Sequence, residues 1–233
     1  MGSVCAVIVA GGVGSRFGNP GGKLLVDVAG KPLMTWSLLA FDTVESVGHI
    51  VVVCPPDRID EMRRSAIDPF GIQTPVSFAC AGAERQDSTY AGICAVPGGF
   101  DIVAIHDSAR PLIRPETIEA AISALRKDAS LDGTVSAQPS VDTLKIVDGD
   151  GVIESTPDRS RYWCVQTPQV FRIDAVLRAH ERSREEGFVG TDDASLVERM
   201  GGAVKCVESP RDNMKVTLPE DLLVVRTIME SRL

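Results

Sequence analysis

Apolar residues cluster in short runs along this chain, and the runs alternate between two kinds of spacing. Continuous stretches rich in β-branched residues predict strands buried on both faces at residues 5–9, 49–54, 76–80, 101–106, 133–138 and 204–207. Between them lie segments with helical spacing. One runs over residues 33–42 with Leu33, Trp36, Leu38, Ala40 and Phe41 spread over its surface, and one follows Pro55-Pro56 with Asp57 as its cap and Ile59, Met62 and Ala66 among its members. A third passes through Tyr90, Ile93 and Ala95. Pro115 opens the clearest of them, since Ile118, Ala121, Ile122 and Leu125 stand at i, i+3, i+4 and i+7, with Glu116 and Glu119 near the positive end. Helices are also predicted over 172–186, from Thr191-Asp192-Asp193 to Met200, and from Pro219 with Leu222, Val225, Ile228 and Met229 inward; residues 24–28 predict a short strand. Strand alternating with helix is the pattern of an α/β fold, a mostly parallel sheet with helices on both faces.

The alternation breaks once. Residues 142–147 and 152–155 flank Asp148-Gly149-Asp150-Gly151, whose Asp-Gly steps supply the positive φ angles of a hairpin turn. With no helix to cover it, the hairpin either lies on its own domain or projects and packs on another subunit. The expected organisation is one domain over 1–233 with a β-arm inserted at about 139–167.

Composition narrows the function classes. The 233 residues carry 32 acidic side chains against 24 basic, a net charge of −8, which argues against nucleic acid as the main partner. Positive charge must therefore be placed locally if the ligand is a polyanion. No apolar run approaches membrane-spanning length. Cys5, Cys54, Cys80, Cys94, Cys164 and Cys206 form no C-x-x-C pair and stand near no histidine at metal-ligand spacing, so reduced thiols in a cytoplasmic protein are expected.

The first strand feeds the loop Ala10-Gly11-Gly12-Val13-Gly14-Ser15-Arg16-Phe17-Gly18-Asn19-Pro20-Gly21-Gly22-Lys23. Its early glycines bring backbone N–H groups close to an anion, and Arg16 and Lys23 add two cations at the same rim, a combination suited to a triphosphate. A dinucleotide fingerprint starting at Gly12 would need glycine at Phe17; a Walker A loop ending at Lys23 would need a hydroxyl at Leu24. The loop is neither.

In an open parallel sheet, ligands sit beyond the carboxyl ends of the strands, where 11–23, 82–88, 107–110, 191–193 and 212–215 should converge. Asp107 at a strand end can hold Mg²⁺ against phosphate oxygens or cap the following turn. Thr191 can bind a phosphate oxygen or cap its helix, and Lys215 can serve the site or pair with Asp212. His106 reads as a satisfied rim histidine, and Arg159 and Arg161 read locally as solvated charges. With no G-x-S-x-G elbow, no H-E-x-x-H and no nucleophile with a partner, the set suits phosphoryl or nucleotidyl transfer by positioning and charge neutralisation.

Val141-Asp142-Thr143-Leu144-Lys145, Thr156-Pro157-Asp158-Arg159-Ser160, Gln166-Thr167-Pro168-Gln169, Thr191-Asp192-Asp193-Ala194-Ser195 and Asp212-Asn213-Met214-Lys215-Val216-Thr217 resemble the motifs of the 2-C-methyl-D-erythritol 4-phosphate cytidylyltransferases. His106-Asp107-Ser108-Ala109-Arg110-Pro111 and Glu84-Arg85-Gln86-Asp87-Ser88 fit as well. The resemblance implies a Rossmann-like nucleotidyltransferase fold and transfer of CMP from CTP to a sugar-alcohol phosphate, with Mg²⁺ as cofactor. It implies Arg16, Lys23 and Lys215 as catalytic cations, Asp107 as the Mg²⁺ ligand, and Ala10, Gly11, Gly12, Gly14, Gly82, Ala83 and Ser88 around the nucleotide. Asp107, Ser108, Arg110 and Thr191 would face the acceptor. Thr143 and Arg159 would reach the neighbour's site through the arm of a homodimer.

The chain departs from the family pattern in three places. Gly22-Lys23-Leu24-Leu25 stands where Pro-Lys-Gln and an aromatic are usual, Phe17 where methionine is common, and Ala83 where an acid is frequent. Ser108 is shared with the related ribitol-5-phosphate cytidylyltransferases, which keeps that acceptor open, as the altered loop keeps open a nucleotide-binding homologue without turnover.

Overall fold

The computed structural model describes residues 4–12, 17 and 22–232. In chain order the strands are β1 (Val4–Val9), β2 (Asp27–Val28), β3 (Lys31–Pro32), β4 (Val47–Cys54), β5 (Val76–Cys80), β6 (Ile102–Asp107), β7 (Gly133–Pro139), β8 (Ile146–Val147), β9 (Ile153–Ser155), β10 (Trp163–Arg172) and β11 (Val204–Glu208). The α-helices are α1 (Leu33–Asp42), α2 (Ile59–Met62), α3 (Arg85–Cys94), α4 (Pro115–Lys127), α5 (Ile173–Glu185), α6 (Asp193–Arg199) and α7 (Asp221–Glu230).

Seven strands form one sheet in the order β11-β7-β10-β6-β1-β4-β5. Every neighbouring pair is parallel except the two made by β10, which runs antiparallel to both β6 and β7. The mostly parallel α/β architecture expected from the alternation is therefore present. β1 sits centrally and is apolar throughout because both of its faces are covered. Ala6 and Ile8 pack with Leu38, Ile118 and Val225 of α1, α4 and α7 on one side. Cys5 and Val7 pack with Ile93, Val176 and Val197 of α3, α5 and α6 on the other.

The structure amends the sequence reading in several places. β10 was not expected: it begins at Trp163, inside the segment assigned to the arm, and carries Pro168 and three buried polar residues, Gln166, Thr167 and Gln169. Its pairing with β7 shifts register between Val165 and Gln169, which accommodates a proline that cannot donate to a ladder. Residues 24–28 are not a continuous strand; a 3₁₀ turn over Lys23–Leu25 precedes the two-residue β2. The helix after Pro55 is broken into a 3₁₀ turn, the single-turn α2 and a π segment over Arg63–Ile67, and Asp57 lies within the first turn rather than capping a helix. The last helix starts at Asp221, whose Oδ2 accepts from the N–H groups of Thr217 and Leu218 at 2.7 and 2.8 Å. The arm's regular part is smaller than expected, with β8 pairing antiparallel to β9.

Cys5 and Cys54 are buried, the other four cysteines are exposed, and all six are free. Among the described residues, no helix is long and apolar enough to cross a membrane.

Candidate active site

The carboxyl ends of β1, β4, β5 and β6 open onto a cleft of about 540 Å³. Ala10, Gly11, Gly12 and Lys23 line it from the first loop, and Gly82, Ala83 and Ser88 from the loop after β5. Asp107 and Ser108 at the end of β6 and Lys215 from the last loop complete the wall. A larger open depression of about 850 Å³ lies against α4, but Glu45, Glu116 and Glu119 line it, a poor match for a polyanion.

The first loop is anchored at both described ends. Ala10 N donates to Val53 O at 2.7 Å, and Lys23 Nζ donates to Val216 O at 2.6 Å, tying the end of the first loop to the segment that carries Lys215. Gly22 takes φ 71° and ψ 162°, a conformation open essentially to glycine alone. Proline, whose ring fixes φ near −65°, could not take this conformation. Phe17, the other residue that breaks the familiar loop patterns, is buried in the core. Gly14 and Arg16 lie outside the described residues.

Ser88 shapes the opposite wall. Its Oγ accepts from Gly82 N at 3.1 Å and donates to Glu84 O at 3.1 Å, while Glu84 and Asp87 form a reciprocal cap at the start of α3. A side chain on Gly82 would collide with Asp87 Cβ, so the backbone can come this close only without one.

Asp107 is the electrostatic centre of the cleft. Lys215 Nζ donates to its Oδ2 at 2.8 Å, Arg85 Nε donates to its Oδ1 at 3.3 Å, and Arg110 Nε stands 4.0 Å from Oδ2. Burial alone would raise the acid's pKa, but the Arg85 and Lys215 charges overcome it and hold the carboxyl well below the usual range. Lys215 therefore pairs with Asp107 and not with Asp212, which is taken by Arg114 at 2.6 Å and Arg232 at 2.7 Å. The loop presenting Lys215 is set by Asn213, whose Nδ2 donates to Gln166 Oε1 at 3.0 Å and Thr167 O at 2.9 Å. Val216 N then donates to Ala109 O at 2.8 Å.

His106 is fully buried and satisfied, as the sequence suggested. Its Nε2 lies 3.3 Å from Arg110 O, a carbonyl that can only accept, so Nε2 carries the hydrogen. Nδ1 then accepts from the Thr167 hydroxyl at 3.0 Å, and that oxygen accepts from Asp107 N at 3.1 Å. Burial pushes the imidazolium pKa down to about 3, so the ring is neutral and acts as a brace for the 107–110 turn. Ser108 lines the cleft, but its hydroxyl donates back to Val9 O at 2.7 Å and is committed to the fold. Arg110 lies behind Asp107, with Nη1 donating to Asn213 O at 2.8 Å.

Comparison with known proteins assigns the chain. The model of the 2-C-methyl-D-erythritol 4-phosphate cytidylyltransferases matches residues 4–231. The chain belongs to this family. A 2-C-methyl-D-erythritol 4-phosphate cytidylyltransferase of Caldanaerobacter subterraneus subsp. tengcongensis is 42% identical over 229 residues, covering 97% of this chain and 99% of the relative. One of Microcystis aeruginosa is 40% identical over 227 residues, covering 97% and 99%. Among solved structures, 4-diphosphocytidyl-2C-methyl-D-erythritol synthase of Anaerococcus prevotii superposes with a TM-score of 0.86 at 26% identity, covering 98% of this chain and 99% of that one.

Of the residues that the cytidylyltransferase resemblance singled out, Ala10, Gly11, Gly12, Lys23, Gly82, Ala83, Ser88, Asp107, Ser108 and Lys215 meet at the cleft. Thr191, Thr143 and Arg159 do not line it. Thr191 is exposed, and the capping role belongs to Asp192, whose Oδ1 accepts from Ser195 N at 2.9 Å. Thr143 and Arg159 are exposed on the arm, where Arg159 Nη1 donates to Val141 O at 2.8 Å. Sequence reasoning passed over Arg85 and Asp193 as site residues although both stand in quoted motifs; only the fold brings them together.

The donor set does not fit a resident metal. Asp107 and Glu84 are the carboxylates lining the cleft, but both Asp107 oxygens face cations and the Glu84 side chain is engaged in the cap of α3; among the described residues, no cluster of three or more His, Cys, Asp or Glu side chains could hold a metal ion. A divalent ion at Asp107 would compete with Lys215 and Arg85.

Proposed function

We propose that this chain transfers CMP from CTP to 2-C-methyl-D-erythritol 4-phosphate, releasing pyrophosphate, as a cytoplasmic enzyme of the non-mevalonate route to isoprenoid precursors. The observation that carries this reading is the convergence of Lys23, Lys215 and Asp107 on one cleft in a chain of this family. An oxygen of the acceptor's phosphate attacks the α-phosphorus of CTP. A new P–O bond forms as the bond to the bridging oxygen breaks, and that electron pair leaves with pyrophosphate. The attacking oxygen is already anionic, so no general base is required. What the step demands is neutralisation of charge, which Lys23 and Lys215 supply together with Arg16. Gly11, Gly12, Gly14, Gly82, Ala83 and Ser88 hold the nucleotide, with Ala10 and Ser108 closing the floor. Asp107, Arg110 and Thr191 orient the acceptor.

Mg²⁺ would enter this reading with the triphosphate and not at a site of the protein's own, since both Asp107 oxygens already face cations. When bound, the ion offsets phosphate charge.

The arm completes the site from a second copy. Ile146, Val147, Val152 and Ile153 are all about half exposed or more on it, apolar surface that a homodimer would cover while delivering Thr143 and Arg159 to the neighbouring cleft.

Pyrophosphate release measured with CTP and each acceptor tests the assignment. Turnover with 2-C-methyl-D-erythritol 4-phosphate and not with ribitol 5-phosphate is expected. The reverse would move the acceptor to ribitol phosphate, and CTP binding without product from either would make the chain a nucleotide-binding homologue.

A further inference from the structure

Arg85 is the first residue of α3, and it reaches two carboxylates in two directions. Its Nε donates to Asp107 Oδ1 at 3.3 Å and its Nη1 to Asp193 Oδ2 at 2.9 Å. Asp193 is 1% exposed and opens α6, two residues after Thr191. Its other oxygen, Oδ1, accepts from His180 Nε2 at 3.1 Å. A run of polar contacts, buried at His180 and Asp193 and partly open to solvent at Arg85 and Lys215, thus runs from α5 through Asp193 and Arg85 to Asp107 and on to Lys215. Burial would raise the Asp193 acid and weaken the Arg85 guanidinium, but each group's charge overcomes this for the other, and both stay ionised.

The segment carrying Thr191 is gripped at further points from the same helix turn. Gln86 Nε2 donates to Phe188 O at 3.1 Å and its Oε1 accepts from Gly190 N at 2.9 Å. From β10, Gln169 Nε2 donates to Asp192 Oδ2 at 2.7 Å while its Oε1 accepts from Ala194 N at 3.1 Å. Among the described residues, the Arg85 contact is the one that passes from this loop to the cleft carboxylate. Its planar fork serves two acceptors at once, which a lysine ammonium at the same place could not do with the same directions.

We propose that Arg85 is a positioning residue that couples the Thr191 loop to Asp107, so that acceptor binding and the charge at the cleft are set by one guanidinium. This rests on the cytidylyltransferase reading for its kinetic consequence, but not for the mechanical coupling. Loosening Arg85 frees the acceptor loop relative to Asp107 and leaves the nucleotide wall, held by Ser88 and Gly82, in place.

The test compares Arg85→Lys and Asp193→Asn with the wild type in two measurements. Hydrogen exchange should quicken in the backbone of residues 188–195 in both variants, and unchanged exchange there would overturn the coupling whatever the substrate is. In steady-state kinetics, KM for 2-C-methyl-D-erythritol 4-phosphate should rise about tenfold or more while KM for CTP stays within about twofold. A parallel rise in both KM values, or a fall in melting temperature with both unchanged, would make Arg85 merely structural. Absence of turnover by the wild type would defeat the functional reading alone, since the exchange result would still decide the coupling. Arg85→Lys keeps a cation between the two acids, so the test stands even if Asp193→Asn does not fold.

Discussion

Lys215 Nζ lies 2.8 Å from Asp107 Oδ2, a contact that joins the last loop of the chain to the end of β6 across 108 residues of sequence. The Lys215 side chain is 40% exposed, so the ammonium is within reach of a phosphate while paired. Arg85 and Arg110 still face Asp107 if Lys215 is removed. Lys215→Ala should therefore lower kcat by about 100-fold and stability by no more than about 1 kcal/mol. Single-turnover kinetics beside urea denaturation would check this, and a collapse of stability in step with activity would make the lysine structural.

His106 should leave a signature in stability against pH. Its folded pKa, about 3, lies below the ordinary 6.5, so the unfolded chain takes up a proton that the native state refuses. Its contribution is complete above about pH 6.5 and is lost as pH falls toward 3, at up to about 1.4 kcal/mol per pH unit. Asp107, also held low, adds its own loss of the same sign only at more acidic pH. His106→Gln, though less stable at neutral pH, should show a shallower decline between pH 7 and 5.5 in urea titrations. An identical slope would mean the imidazole is not kept neutral.

Ser88 Oγ is the acceptor for Gly82 N. Ser88→Ala should cost about 1 kcal/mol of stability and weaken CTP binding measured by calorimetry, with KM for the acceptor unchanged. Undiminished CTP affinity would move the nucleotide away from this wall.

The arm should behave as a shared element. Ile153, 58% exposed, is a site where aspartate harms no packing within the protomer, so Ile153→Asp should convert a dimer to monomers in sedimentation experiments and lower turnover. Mixing Arg159→Ala chains with Lys23→Ala chains should restore part of the activity lost by each alone. Confirmed heterodimers without recovered activity would argue that each site is built from one chain.

The buried strands were legible because burial on both faces leaves an unbroken apolar run. β5 was read to the residue, and β1 and β6 to within one residue at either end. α4 was legible for the matching reason, a stripe at helical spacing behind a proline. β10 was hidden because its interior residues are polar and their partners are remote. Gln166 is satisfied by Ser209 and Asn213, Thr167 by His106 and Asp107, and Gln169 by Asp192 and Ala194. No local periodicity records such bonds.

The same division runs through the site. Sequence alone determined the layered α/β class, the family and most of the cleft's residues, since each depends on residue type, spacing or motif. Tertiary structure alone decided that Lys215 pairs with Asp107 and Asp212 with Arg114 and Arg232, that Asp192 and not Thr191 caps α6, and that Arg85 bridges two acids. Partner choice among charged side chains depends on distances and burial between segments far apart in the chain, and those exist only once the sheet has brought its loops to a common edge.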